Sequence, residues 1–329
     1  MRPLRSLALL LLLLLTAAGA LLYRVFAPYR GFSGVQFVDI PRGTSTSGIA
    51  SLLEQAGVVR GRLDFLMARV VGHGRVLQAG EYRFTRAESP MEIFDRIARG
   101  DVFYYELSVP EGRNMFEIGE AVEQTGLFTA AQFLAAARNP AMIRDLDPQA
   151  PTLEGYLFPD TYRLSRHTTP EKLCRIMTGR FREVWAGLKT SADVHHTVTL
   201  ASLVEKESKL PQERAQVAAV YANRLRIGMK LDCDPTTIYA AVLEGRYRGA
   251  IYRSDLDRDN AYNTYRRAGL PPGPIANPGV PSIEAALHPS DSAALYFVLR
   301  PDGSGGHQFS QTLAAQNAAV AKYRNGTRP

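Results

Sequence analysis

Cysteine is nearly absent: Cys174 and Cys233 are the only two in 329 residues. Two cysteines cannot form a disulfide framework, and no CxxC is present, so zinc and thiol-redox motifs are excluded. A single bridge between them is possible by count, and two isolated thiols is the plainer reading. There is no phosphate loop, dinucleotide fingerprint, HExxH or G-x-S-x-G. His195 and His196 are adjacent rather than four apart, so no metal and no cofactor is expected. A basic stripe interleaved with aromatics is also missing. The net charge is +7, but Arg2, Arg5 and Arg24 flank a hydrophobic N-terminus and the rest of the excess is spread, so no nucleic-acid partner is expected. With 46% apolar and 22% charged residues, the chain is not disordered throughout, and its length suggests about two domains.

The one long apolar run is Leu7–Leu22, which carries no charge. With Ser6 and Tyr23 it reaches the lower limit for crossing a hydrocarbon core of ~30 Å. Arg2 and Arg5 precede it, which places the N-terminus in the cytoplasm. Ala18-Gly19-Ala20 has the form of a signal-peptidase site, but Leu21 and Leu22 prolong the run past it, which favours an uncleaved anchor over a cleaved signal. The expected layout is a cytoplasmic tail over 1–5, an anchor over 6–23, a stalk over 24–34, a small subdomain over 35–102 and a larger domain over 103–326.

An internal similarity recurs at an offset of 69 residues. Pro41-Arg42-Gly43 matches Pro110-Glu111-Gly112, Ile49 matches Ile118, and Glu54-Gln55 with Gly57 matches Glu123-Gln124 with Gly126. An alternating segment precedes each copy, and an amphipathic helix, a glycine stop and a second helix follow, which reads as a β-α-α unit used twice. Gly80–Phe84 reads as a strand, and Ser89-Pro90 opens a helix. Asn139–Thr161 reads as loop. Helices are expected over Pro170–Gly187, Val198–Ser208, Pro211–Arg226, Asp234–Leu243 and Gln311–Arg324, with a strand over Leu295–Leu299. The class is α+β, with a helix-rich second half and few strands.

The segment Leu200–Ser208 carries two glutamates. On a helix, with Leu200 at zero, Val204 falls at about 40°, Leu203 at about 300° and Glu207 at about 340°. Glu207 therefore sits within the apolar stripe, and Glu205 lies on its flank at about 140°. The two cannot form a carboxylate pair. Burial and the negative helix terminus both raise the pKa of Glu207, as a general acid requires. The competing expectation is a buried Arg or Lys paired with it. A one-carboxylate enzyme can still break a glycosidic bond if the sugar supplies the nucleophile. Asp232 and Asp234 could supply a second carboxylate if the fold brings them near Glu207; the plainer role of Asp234 is the N-cap before Pro235.

The chain resembles the endolytic murein transglycosylase (YceG-like) family. The resemblance rests on Ala201–Ser208, Asn223–Met229, Asp234–Tyr239, Tyr262–Tyr265 and Gly269–Ile275, with Ala286–Pro289, Leu295–Val298, Ala79–Phe84 and Glu154–Thr161 in support. Cys233 departs from the small polar residue expected at its position. The resemblance implies a LysM-like subdomain ahead of a catalytic domain. It also implies a single-pass protein of the cell inner membrane with its body in the periplasm or extracytoplasmic space. The implied reaction is cleavage of the bond between N-acetylmuramic acid and N-acetylglucosamine without water, leaving 1,6-anhydro ends, with Glu207 as acid and then base. Partners would be peptidoglycan strands and synthases of the elongation or division machinery. Tyr262, Asn263, Thr264 and Tyr265 could stack on sugars and bond acetamido groups, or pack as a turn. Tyr156, Asp234, Arg224 and Glu205 are further candidates, with core packing, capping or ion pairing as their plainer roles. His307 follows Gly305-Gly306 and could contact substrate, with an exposed turn residue as its plainer reading. The alternative function is a non-catalytic wall-binding or division-scaffold protein.

Overall fold

The computed structural model describes residues 2–326, with side chains from residue 9. Met1 of the expected tail, and the side chains of Arg2 and Arg5, lie outside that part. Two compact units divide between Tyr105 and Glu106.

The first unit begins with α1 (Arg2–Phe26), followed by β1 (Gln36–Ile40), α2 (Thr46–Gln55), α3 (Arg62–Val71), β2 (Gly80–Phe84) and α4 (Pro90–Arg99). β1 and β2 pair antiparallel, with Val38 opposite Tyr82. Period-two alternation sends Val38, Ile40, Tyr82 and Phe84 inward, where Ile49, Leu53, Phe65, Phe94 and Ile97 close a core. Ser89 accepts from Glu92 N while the Glu92 carboxylate accepts from Ser89 N, so a capping box starts α4 where the Ser-Pro pair predicted.

A free stalk over 24–34 is not what forms. Val25 and Ala27 are buried, Arg24 Nε pairs with the buried Asp64 at 2.9 Å, and Gly31 N donates to Gly57 O at 2.9 Å. Apolar residues in this segment had a core within reach, and burying them outweighs the entropy of an open linker.

The second unit repeats the plan. β3 (Tyr105–Ser108) straddles the division, and α5 (Met115–Gln124), α6 (Ala130–Ala137), β4 (Thr161–Leu164) and α7 (Pro170–Gly187) follow, with β3 paired to β4. Gly43 and Gly112 both take positive φ in the turn before the first helix, as the matched Pro-x-Gly motifs require. The likeness runs further than the β-α-α unit. Tyr82-Arg83-Phe84 and Ser89-Pro90 recur as Tyr162-Arg163-Leu164 and Thr169-Pro170. Both copies are therefore β-α-α-β-α, and the second carries an insertion between α6 and β4. That insertion shifted β4 to the end of the segment read as loop, where no strand was expected.

The remainder is α8 (Val194–Glu207), α9 (Arg214–Arg226), α10 (Asp234–Leu243), α11 (Arg253–Leu256), α12 (Val280–Leu287), β5 (Tyr296–Leu299), β6 (His307–Ser310) and α13 (Leu313–Gly326). α8 starts four residues before the expected Val198, because Asp193 caps it through His196 N at 2.7 Å. Leu200, Leu203 and Val204 of α8 pack with Val217 and Tyr221 of α9, Cys233, Tyr239 and Ile275.

Candidate active site

Glu207 is the last residue of α8, and Ser208 leaves the helix in extended geometry. The apolar stripe that holds Leu200, Leu203 and Val204 in the core carries Glu207 to the same side. There it is partly exposed, with its carboxyl head closely surrounded by protein. Among the described residues no Lys or Arg forms an ion pair with it. Its one clear hydrogen bond comes from the Cys233 thiol, Sγ to Oε1 at 3.4 Å.

Burial dominates and pushes the Glu207 pKa up, and the negative charge of Asp234 adds to this. Donation from Cys233, the nearby Tyr221 hydroxyl and the presence of His307 oppose the rise without cancelling it. Cys233 and Tyr221 are themselves buried, which drives both pKa values upward and keeps thiol and phenol neutral. The Tyr221 hydroxyl makes no hydrogen bond of good geometry, yet it lies near enough to the Glu207 carboxyl and the Cys233 thiol to act on both.

Cys233 occupies the N-cap position of α10, where a small polar residue was expected. Its backbone is held from below: Cys233 N donates to Thr264 Oγ1 at 3.0 Å, and Thr236 Oγ1 donates to Cys233 O at 2.7 Å. Asp234, expected at the cap, is instead the first helical residue and makes no capping bond. Its exposed carboxylate accepts from Tyr265 Oη at 2.6 Å.

The Tyr262–Tyr265 loop splits by role. Asn263 is buried, and its Nδ2 donates to the carbonyls of Asp255, Leu256 and Arg258 while Oδ1 accepts from Tyr265 N. Thr264 is buried and bonded to Cys233 and Thr236. These two hold the loop together. Tyr262 and Tyr265 are only partly buried. The ring of Tyr262 lies 5.1 Å from that of Tyr239, and burial raises its phenol to about 12.

Other candidates stand away from Glu207. Tyr156 is buried against Phe181 at 5.1 Å and donates to Asp147 Oδ2. Arg224 is buried and spends its guanidinium on the carbonyls of Leu295, Lys230 and Leu231, and it also keeps the expected ion pair, with the exposed Asp232 at 3.8 Å. Glu205 accepts from Arg214 at 3.4 Å and from Gly279 N at 3.1 Å, tying α8 to the start of α12. As the helical wheel requires, it faces away from Glu207.

His307 is a correction: it is buried on β6, not exposed in a turn. Its Nδ1 and backbone N both donate to Glu213, at 2.8 and 3.0 Å, and Arg300 Nη2 donates to the same carboxylate at 3.0 Å. The Tyr221, Phe297 and His307 rings follow one another edge to face at 6.0 and 5.3 Å. Tyr221 and Glu213 were not singled out as site residues, and His307 was weighed only as a substrate contact or a turn residue. A tyrosine on the buried Val217–Ala218–Tyr221 face of α9 was the available signal for Tyr221, and His-x-Phe alternation for His307. A cleft of about 590 Å³ is lined by Lys206 and Pro235, the chain neighbours of Glu207 and Asp234, together with Phe116, Tyr239, Tyr247 and Ile275; Glu207, Cys233 and Tyr221 do not line it. No cluster of three or more His, Cys, Asp or Glu suited to a metal occurs among the described residues.

The YceG-like family model matches residues 38–322. A Bacillus subtilis (strain 168) protein named endolytic murein transglycosylase is 33% identical over 307 residues, 87% of this chain and 84% of that protein. A Streptococcus pneumoniae protein of the same name is 30% identical over 294 residues, 79% of this chain and 53% of the longer protein. The crystal structure of a YceG-like protein from Listeria monocytogenes superposes with a TM-score of 0.55 at 30% identity, covering 86% of this chain and 98% of that one.

Proposed function

The chain belongs to the YceG-like family, and on that premise we propose that it is an endolytic peptidoglycan lytic transglycosylase, a lyase with Glu207 as its single acid and base. The observation that carries the reading is a carboxyl on an apolar helix face with a raised pKa, a thiol donor and no cationic partner.

Glu207, protonated, gives its proton to the oxygen joining N-acetylmuramic acid to N-acetylglucosamine as the bond from the muramyl C1 breaks. The carboxylate so formed takes the proton of the same sugar's 6-hydroxyl as that oxygen attacks C1. One C–O bond breaks and one forms, no water is consumed, and a 1,6-anhydro end results. Cys233 and Tyr221 steady the carboxylate between the two steps, and the proton taken from the 6-hydroxyl restores the acid, the form that burial favours. Glu205 is held by Arg214 and Gly279, and Asp234, the one other carboxylate whose charge reaches Glu207, accepts from the Tyr265 hydroxyl; on this reading neither attacks, and the attacking group comes from the substrate. Tyr262, Tyr265 and Asp234 are the loop and helix-start groups with exposed surface for sugar contacts.

The β1-α2-α3-β2 arrangement supports reading the first unit as a LysM-like wall-binding module. α1, whose 18-residue stretch Leu9–Phe26 has a mean hydropathy of 2.2, supports a single-pass anchor in the cell inner membrane with an extracytoplasmic body. The test is to digest purified peptidoglycan with the full chain in detergent and analyse the products by mass spectrometry. Anhydro ends must appear and must vanish with Glu207→Gln. Reducing ends would mark a hydrolase, and no cleavage by the wild type would favour a scaffold.

A further inference from the structure

α3 is dressed the wrong way round for a surface helix in water. At about 100° per residue, Asp64, Phe65 and Ala68 fall on one side, and Leu66, Val70, Leu63 and Met67 share an arc of about 100° on the other. The structure buries the first set and packs Leu66 and Met67, partly buried, against the edge of the same core, so Leu63 and Val70, about 20° apart on the helix, are the apolar pair that faces out. Leu63 and Val70 are 71% and 73% exposed, and Val76 just beyond the helix is 76% exposed. Outside α1 these are the most exposed large apolar side chains among the described residues. The one acid in residues 60–75, Asp64, is turned inward. Arg62 and Arg69 border one edge of the outward pair, with Arg60 and Arg75 at the two ends. Arg62 pairs with Glu54 at 3.4 Å and Arg75 with Asp95, which leaves Arg60 and Arg69 as the basic groups for an anionic surface.

The inward carboxylate of Asp64 pairs with Arg24 of α1, at 2.9 Å to Nε and 3.1 Å to Nη2. Arg24 stands within the last turn of the helix whose apolar stretch runs Leu9–Phe26. α3 is thus docked at the point where α1 would leave the bilayer. Apolar residues directed outward with arginines beside them match the acyl–headgroup boundary of an anionic leaflet, where each class of side chain finds its own medium.

We propose that the outward face of α3 (Leu63 and Val70, with Val76 just beyond the helix) lies in the lipid–water interface of the bilayer spanned by α1, seating the first unit on the membrane surface. This rests on the reading of α1 as an anchor. The partner is the lipid surface, not a second protein.

The test uses the full chain, with Trp185→Phe removing the only tryptophan. It is reconstituted in vesicles of phosphatidylethanolamine and phosphatidylglycerol whose acyl chains are brominated near the headgroup. Val70→Trp, with Leu63→Trp as a second reporter should the first misfold, is compared with Arg42→Trp in the turn after β1. The proposal expects the chain to float with the vesicles and α3 reporters to be quenched several-fold more than the Arg42 reporter. Flotation with equal, weak quenching at both places overturns the α3 assignment and leaves the anchor standing. Failure to float overturns both. A blue-shifted α3 reporter that bromine does not quench, and that reverts on dilution, identifies a protein contact and overturns the proposal.

Discussion

The Cys233 thiol donates to Glu207 Oε1 across 3.4 Å, joining the first turn of one helix to the last turn of another. A neutral donor at that place favours the carboxylate, against the burial that favours the acid. Cys233→Ala therefore raises the Glu207 pKa further. If protonated Glu207 starts the reaction, the alkaline limb of the pH–rate profile moves to higher pH in Cys233→Ala, and Cys233→Ser restores part of the shift. Tyr221→Phe moves the limb the same way. An unmoved limb in both variants would separate these groups from the acid.

Glu207→Gln should lower the rate of glycan cleavage by about 10²- to 10⁴-fold, the range of a lost general acid. It should not unfold the protein. The folded state holds Glu207 above its ordinary value of 4.5, so the folded chain is favoured while this group is protonated and loses that advantage as pH rises above 4.5. The glutamine variant lacks that loss. Its melting temperature should equal or exceed wild type at pH 8, measured by calorimetry alongside the rate.

How much of this was legible follows the distance over which each feature is encoded. Glu207 could be placed because four residues of one helix, Leu200, Leu203, Val204 and Glu207, define a stripe by themselves. The duplicated unit was legible over β1, α2 and α3 because the offset of 69 is constant there, and it was lost at β4 because an insertion changes the spacing. Cys233, Tyr221 and His307 converge on Glu207 from three other elements, and nothing local marks that meeting. Asn263 shows the opposite failure: an amide in a Tyr-Asn-Thr-Tyr loop looks the same in sequence whether it binds a sugar or gathers three backbone carbonyls.

Asn263→Ala should accordingly act on folding. It would strand the carbonyls of Asp255, Leu256 and Arg258, at a cost of about 2–4 kcal/mol. Chemical denaturation should show this loss, while the KM of the remaining folded enzyme changes little. A large KM effect with unchanged stability would return Asn263 to the substrate.

Glu154 is the other buried carboxyl whose protonation the fold controls. Its oxygens accept from Met115 N at the first turn of α5, from Tyr239 Oη at 3.0 Å and from Asn277 Nδ2 at 2.8 Å. Those donors favour the anion, but complete burial prevails and lifts the pKa to about 8. The folded value lies above the unfolded value of 4.5, so stability from this group is full below pH 4.5, declines between 4.5 and 8, and levels off above. A glutamine at 154 mimics the protonated acid: its oxygen still serves Met115 and Asn277, and its amide can donate to Tyr239. Glu154→Gln should therefore flatten the pH dependence of unfolding over that window and be the more stable form at pH 8, by a few kcal/mol at most. Parallel denaturation curves of the two proteins from pH 5 to 8 would show instead that the anion is the form the fold prefers.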